Sequence, residues 1–138
     1  MQTSEELLAA LRALEIPEDD HAVFGSGPLL VRGIIDTAGD LDVLCRGAAW
    51  DRACELGEMV DLEEGVQIAS IYDGAITFGR SWAYGVFDID ELIDTAEIID
   101  GVPFVLMEHV MAYKRAADRP KDRAHLDRIA DHERRDST

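Results

Sequence analysis

Apolar side chains at Leu7, Leu8, Leu11 and Leu14 recur at helical period and stop before Pro17, which predicts an amphipathic N-terminal helix over residues 1–16. Thr3 and Glu6 stand at capping-box spacing at its start. After the polar turn at residues 17–20, His21 to Phe24 reads as a short strand that ends at Gly25-Ser26-Gly27, with Pro28 placed to open a short helix. Gly39 to Cys45 alternates with period two, so a strand there puts Asp40 and Asp42 on one face and Leu41, Val43 and Cys45 on the other. Ala48 to Met59 has helical composition around Trp50, Ala53 and Cys54.

Two apolar or β-branched runs, Val66–Tyr72 and Ala75–Phe78, flank Asp73-Gly74, a hairpin signal. Asp88 and Glu91 repeat the capping-box spacing and predict a helix through Leu92 and Ile93. Asp100-Gly101 marks a second hairpin before a strand over Val102–Leu106. Two helices follow within residues 107–132, Glu108–Ala117 and Pro120–His132, because Arg119-Pro120 interrupts the pattern. The polar end, residues 133–138, is predicted to be a disordered tail. The pattern specifies an α/β (α+β) fold, a small mixed β-sheet flanked by helices largely on one side, in one domain spanning residues 1–138.

Composition narrows the classes of function. A chain of 138 residues holds one core. Its apolar runs fall well short of the ~20 residues that cross a bilayer, and acids occupy the N-terminal positions where a secretory signal would be basic, so a cytoplasmic protein with no membrane partner is expected. Cys45 and Cys54 have neither metal-ligand nor redox-motif spacing. The net charge of −16 argues against a duplex nucleic acid as partner, since phosphate backbones are bound mainly by basic groups. The charge is uneven: residues 1–110 hold 5 Lys/Arg against 23 Asp/Glu, whereas residues 111–138 hold 8 against 6. An anionic ligand would therefore be received near the C-terminal segment.

Candidate chemistry concentrates in residues 23–45. A glycine-rich turn between strand and helix exposes backbone N–H groups to a phosphate, and Gly25 and Ser26 occupy that turn. Asp40 and Asp42 follow on one side of a strand, an arrangement suited to Mg²⁺ ions that also hold substrate phosphates. Taken separately, Gly25-Ser26-Gly27 reads as an ordinary loop and the two acids as the polar face of a strand. Lys114 taken alone is a helix-surface residue, and residues 119–122 the start of a helix with Asp122 favourable near its N-terminus. Trp50, Trp82 and Tyr84 read as packing residues, with Trp82 the best candidate for stacking on a base. His21, His109, His125 and His132 are too scattered for ligand spacing, so no catalytic histidine is assigned.

In combination, Gly25, Ser26, Asp40 and Asp42 make the chain resemble the nucleotidyltransferase superfamily, with its DNA polymerase beta-like fold. Its signature is Gly-Ser or Gly-Gly, a spacer of this length, and an apolar-flanked pair of acids. The segment 102–129 is similar to that of small bacterial members, with Lys114, Arg119, Lys121 and Asp122 at matching positions. The resemblance implies a nucleotidyltransferase fold and a two-metal transfer. Asp40 and Asp42 would be catalytic and hold Mg²⁺ or Mn²⁺; Gly25, Ser26, Lys114 and Lys121 would bind the nucleoside triphosphate, and an acceptor hydroxyl would attack the α-phosphate with loss of pyrophosphate.

Such enzymes usually carry a third carboxylate on a later strand, and Thr77 stands in that position here. Asp73, Asp88 and Asp90 are the nearby substitutes in sequence. Three readings therefore stay open: an active transferase, a nucleotide-binding but catalytically impaired partner protein of sensor or antitoxin-like type, and a structural acidic domain. For an enzyme, the charge favours a protein side chain or a cationic small molecule as acceptor, and the small size favours a partner protein that completes the site.

Overall fold

The run His21–Phe24 forms β1 with all four side chains buried, and Leu41–Cys45 forms β2 beside it. Both belong to a computed structural model that describes residues 4–36, 40–61, 67–72, 74–80 and 88–136. The other strands are β3 (Glu58–Asp61), β4 (Gln67–Ile71), β5 (Ile76–Gly79), β6 (Glu97–Ile99) and β7 (Val102–Phe104). They form one seven-stranded sheet in the order β3-β4-β5-β2-β1-β7-β6. β1–β2, β3–β4, β4–β5 and β6–β7 are antiparallel, while β1–β7 and β2–β5 are parallel. The six α-helices among the described residues are α1 (Ser4–Ala13), α2 (Gly27–Val31), α3 (Gly47–Leu56), α4 (Ile89–Asp94), α5 (Met107–Ala117) and α6 (Pro120–Asp136). The mixed α+β class and both hairpin pairings agree with the sequence expectation.

Alternation along β1 and β2 sends side chains into two cores. Val23, Leu41, Val43 and Cys45 join Leu7 and Leu11 of α1 and Ala49 and Ala53 of α3 on one face. Ala22, Phe24 and Leu44 join Leu29 of α2, Leu92 and Ile93 of α4, Val110 and Tyr113 of α5 and Ile129 of α6 on the other. The helices thus cover both faces, which corrects the expectation of one-sided cover. The physical reason is that β1 is buried at every position and apolar from Ala22 to Phe24, so neither of its faces is left to water. Burying each large side chain of this strand contributes roughly 1.5–3 kcal/mol, which anchors the centre of the sheet.

Several boundaries differ from the sequence reading. α1 ends at Ala13, and Glu15 with φ 53 turns the chain before Pro17. α3 stops at Leu56 and Met59 lies in β3, because a Cβ at Gly57 would stand 3.1 Å from the Ser70 amide and 3.2 Å from the Ala53 carbonyl. A side chain there would press on both backbones, and the helix ends at this close approach. Residues 133–136 continue α6 instead of forming a tail, with Arg134 and Arg135 in the last turn, where cations complement the helix dipole, and Arg134 paired to Asp131. Thr3, Gly39, Val66, Asp73, Trp82 and Tyr84 lie outside the described residues.

Candidate functional site

β1 delivers the chain into Gly25, whose φ of +66 lies in the left-handed region that glycine adopts without steric cost. The following Ser26 caps α2, its carbonyl accepting from the Leu29 and Leu30 amides at 3.1 and 3.0 Å. Pro28 sits in the first turn of that helix, as its fixed φ allows. Phe24 pairs with Asp42 across the β1–β2 ladder, which brings the Asp42 carboxylate over the turn. A Cβ on Gly25 would lie 2.9 Å from Asp42 Oδ2, so glycine is needed both for the turn and for the closeness of the acid. Gly27 has another reason: its Cβ would meet Val23 Cγ1 at 2.3 Å. The glycine turn and the second acid are therefore neighbours, as the sequence pattern anticipates.

Asp42 is partly buried, whereas Asp40, just before β2, is exposed. Burial first, and then the like charge of Asp40, push the Asp42 carboxyl up to about 6; Lys121, Arg119 and Lys114 pull the other way. Both acids and all three cations thus lie within electrostatic reach of one another. On the other side of β2, Thr77 of β5 is the register partner of Asp42, and Ser70 of β4 is the partner of Thr77. The position facing Asp42 across the parallel ladder holds a hydroxyl.

Of the nearby acids, Asp88 and Asp90 are engaged elsewhere. Asp88 accepts from the Asp90 and Glu91 amides and caps α4. Asp90 takes Arg46 Nη1 at 2.8 Å, in a cluster where Arg46 also pairs with Asp20 and Asp94. That cluster pins α4 to the segment leading into β1. Among the described residues no three His, Cys, Asp or Glu side chains are grouped to hold a metal. The donor set at the turn is two carboxylates, one of them raised by burial and then by the charge of the other. This suits a single divalent ion whose remaining positions are filled by water and phosphate.

The cations come from the junction of α5 and α6. Asp118 ends α5 in the left-handed conformation with φ 48, and Pro120 opens α6, so the chain reverses sharply at Arg119. Asp122 is fully buried and organises this corner. Its carboxylate accepts from the Arg119 backbone amide at 3.2 Å, from Nε at 2.6 Å and from Nη2 at 3.2 Å. Burial alone would raise the Asp122 carboxyl, but the hydrogen bonds and charge of Arg119, with Lys114 behind, hold it below the usual range.

Lys114 lies 3.7 Å from Asp122 and donates to His125 Nδ1 at 3.0 Å. Burial lowers the Lys114 ammonium, opposed by Asp122 and assisted by Lys121 and Arg119. His125 is lowered by burial and by Lys114, so its imidazole is the neutral acceptor that this bond requires. His125 also lines a groove of about 530 Å³ between Ile35–Asp36 and α6, together with Asp127, Arg128 and Asp131.

Gly25 lies against Asp42, and Asp40, Lys121, Arg119 and Lys114 act on the Asp42 carboxyl by their charge; Ser26 starts the adjoining helix. Lys114 departs from its surface reading by being almost wholly buried, and His125 from its unassigned one by holding Lys114. Asp122 is more than a helix-start residue. Comparison of the chain with protein-family models, curated proteins and solved structures finds no match.

Proposed function

We propose that the chain binds a nucleoside triphosphate with Mg²⁺ or Mn²⁺ at the Asp40–Asp42 pair, and transfers a nucleotidyl group to an acceptor hydroxyl. The observation that carries this reading is a partly buried carboxylate, kept near 6, sharing one small region with a second acid, a glycine turn and three cations. Asp40 and Asp42 repel each other, while Lys121, Arg119 and Lys114 act on Asp42 with only Asp122 set against them in the corner. A polyphosphate with a divalent ion satisfies both sets at once, the ion between the carboxylates and the phosphates against the basic groups. The ion, when bound, supplies charge stabilisation for the phosphate oxygens. Asp40 and Asp42 would hold it, and the amides at Gly25 and Ser26 would face the phosphates. α2 has only five residues, so its dipole adds little and the cations of the C-terminal helices carry most of the anion binding. The acidic groove beside His125 favours a cationic small molecule or a basic protein segment as acceptor.

Thr77 opposite Asp42 supports a second reading: a nucleotide-binding, catalytically impaired partner protein of sensor or antitoxin-like type. Calorimetric titration with Mg²⁺-ATP and other triphosphates, followed by incubation with labelled triphosphate and cell extract, separates the readings. Saturable binding with labelled acceptor is the result expected of the enzyme, and binding without label that of the partner protein. No binding of any triphosphate would leave only a structural acidic domain. Thr77→Asp should tighten Mn²⁺ binding about tenfold, equivalent to ~1.4 kcal/mol, by adding a third oxygen donor beside Asp42. Unchanged Mn²⁺ affinity in that variant would remove β5 from the site.

A further inference from the structure

We infer that Arg119 is the side chain that contacts the ligand's phosphates, and that Lys114 is a positioning residue which holds the Asp122–Arg119 pair in place from beneath. This rests on the triphosphate reading above and changes the roles within it. Lys114 is 2% exposed, and its ammonium is engaged by His125 and Asp122. Arg119, by contrast, keeps a third of its side chain exposed while Asp122 grips it through Nε and Nη2. A guanidinium has a rigid fork of donors, so a carboxylate on one edge orients it without neutralising its geometry for a second oxyanion.

Packing links this fork to the strand pair of the candidate site independently of charge. The Arg119 guanidinium lies 5.9 Å from the Tyr113 ring centroid, within cation–π range. Tyr113 meets Phe24 edge to face, with centroids 4.8 Å apart and planes at 62°. Phe24 is in turn the register partner of Asp42 and the residue before Gly25. One stack of three side chains therefore connects the α5–α6 corner to the strand pair that carries the acid and the turn. Buried Asp122 fixes the corner, and Lys114 with His125 fixes Asp122. Lys121, exposed on the first turn of α6, adds a point charge at the rim.

The test uses inorganic tripolyphosphate with Mg²⁺, which has no base or sugar, on the intact chain. In the unaltered protein, the Arg119 Nε–H resonance should shift on saturation while the Lys114 Nζ resonance stays in place. Arg119→Lys keeps the charge and should weaken tripolyphosphate binding about tenfold by calorimetry at a temperature where the variant is folded, its thermal midpoint being lowered by loss of the fork on Asp122. A moving Lys114 signal with a static Arg119 signal would overturn the inference, as would unimpaired binding by Arg119→Lys. Failure of the unaltered protein to bind tripolyphosphate or any Mg²⁺-triphosphate would instead overturn the functional reading on which the inference stands.

Discussion

Asp42→Asn should abolish Mg²⁺-dependent triphosphate binding and, at the same time, make the protein more stable at neutral pH. The Asp42 carboxyl is raised from 3.8 to about 6 by burial and by Asp40. Between those two values the folded chain binds more protons than the unfolded chain, so stability falls as pH rises. The contribution is complete below the unfolded value and is lost as pH climbs through about 6. Above pH 7 the ionised carboxylate therefore costs on the order of 2 kcal/mol, and an isosteric amide removes most of that cost. Thermal melts should show Asn above Asp at pH 8 by several degrees, with the two curves meeting near pH 4.

Binding should show the opposite dependence. A proton competes with the divalent ion for Asp42, so affinity for Mg²⁺-triphosphate should fall about tenfold per pH unit below 6 and level off above it. A destabilised Asn variant at every pH would mean that Asp42 serves the fold. In that case the carboxylate is not held in readiness for a cation.

The strand and turn that carry Asp42 were legible in the sequence because each has a local physical signature. Period-two alternation marks residues 39–45, and a glycine between strand and helix marks a left-handed turn. Thr77 enters the sequence reading only through the resemblance, as the residue at the third-acid position of a later strand; that it stands opposite Asp42 is set by the parallel β2–β5 register, which no local pattern fixes. Edge strands were harder to read. β3 has all four side chains exposed, so no alternation in burial marks it, and its start follows from Gly57, a close-contact requirement visible only in three dimensions. The burial of Lys114 and Asp122 beside His125 is hidden for a related reason. Each is polar on an amphipathic helix, and only the return of α6 against α5 buries them together. No single-helix pattern separates a buried charge pair from a solvated face.

Asp122→Asn tests that buried pair, and its expected effect is the largest in the molecule. The amide keeps the shape of the carboxylate and can still accept from the Arg119 backbone, so the α6 start is preserved while the charge is lost. Lys114, 2% exposed, is then left beside a neutral histidine with no counter-charge. Breaking a buried pair by removing one partner costs about 3–5 kcal/mol, whereas removing both partners is often close to neutral. Exposure of Arg119 to solvent puts the expected loss near the lower end, about 3 kcal/mol by denaturant titration at pH 7.

The pH dependence follows from the sign of the Lys114 shift. Its folded-state value lies below 10.5, so in the alkaline window between the folded and unfolded values the unfolded chain holds more protons and stability rises with pH. Without Asp122 that window widens downward, and the Asn variant should recover part of its stability as pH is raised. Lys114→Met combined with Asp122→Asn should restore much of the loss, giving a coupling energy of about 2 kcal/mol in the double-mutant cycle. Strictly additive losses in that cycle would show that Lys114 and Asp122 do not act as a pair, and the corner holding Arg119 would then need another support.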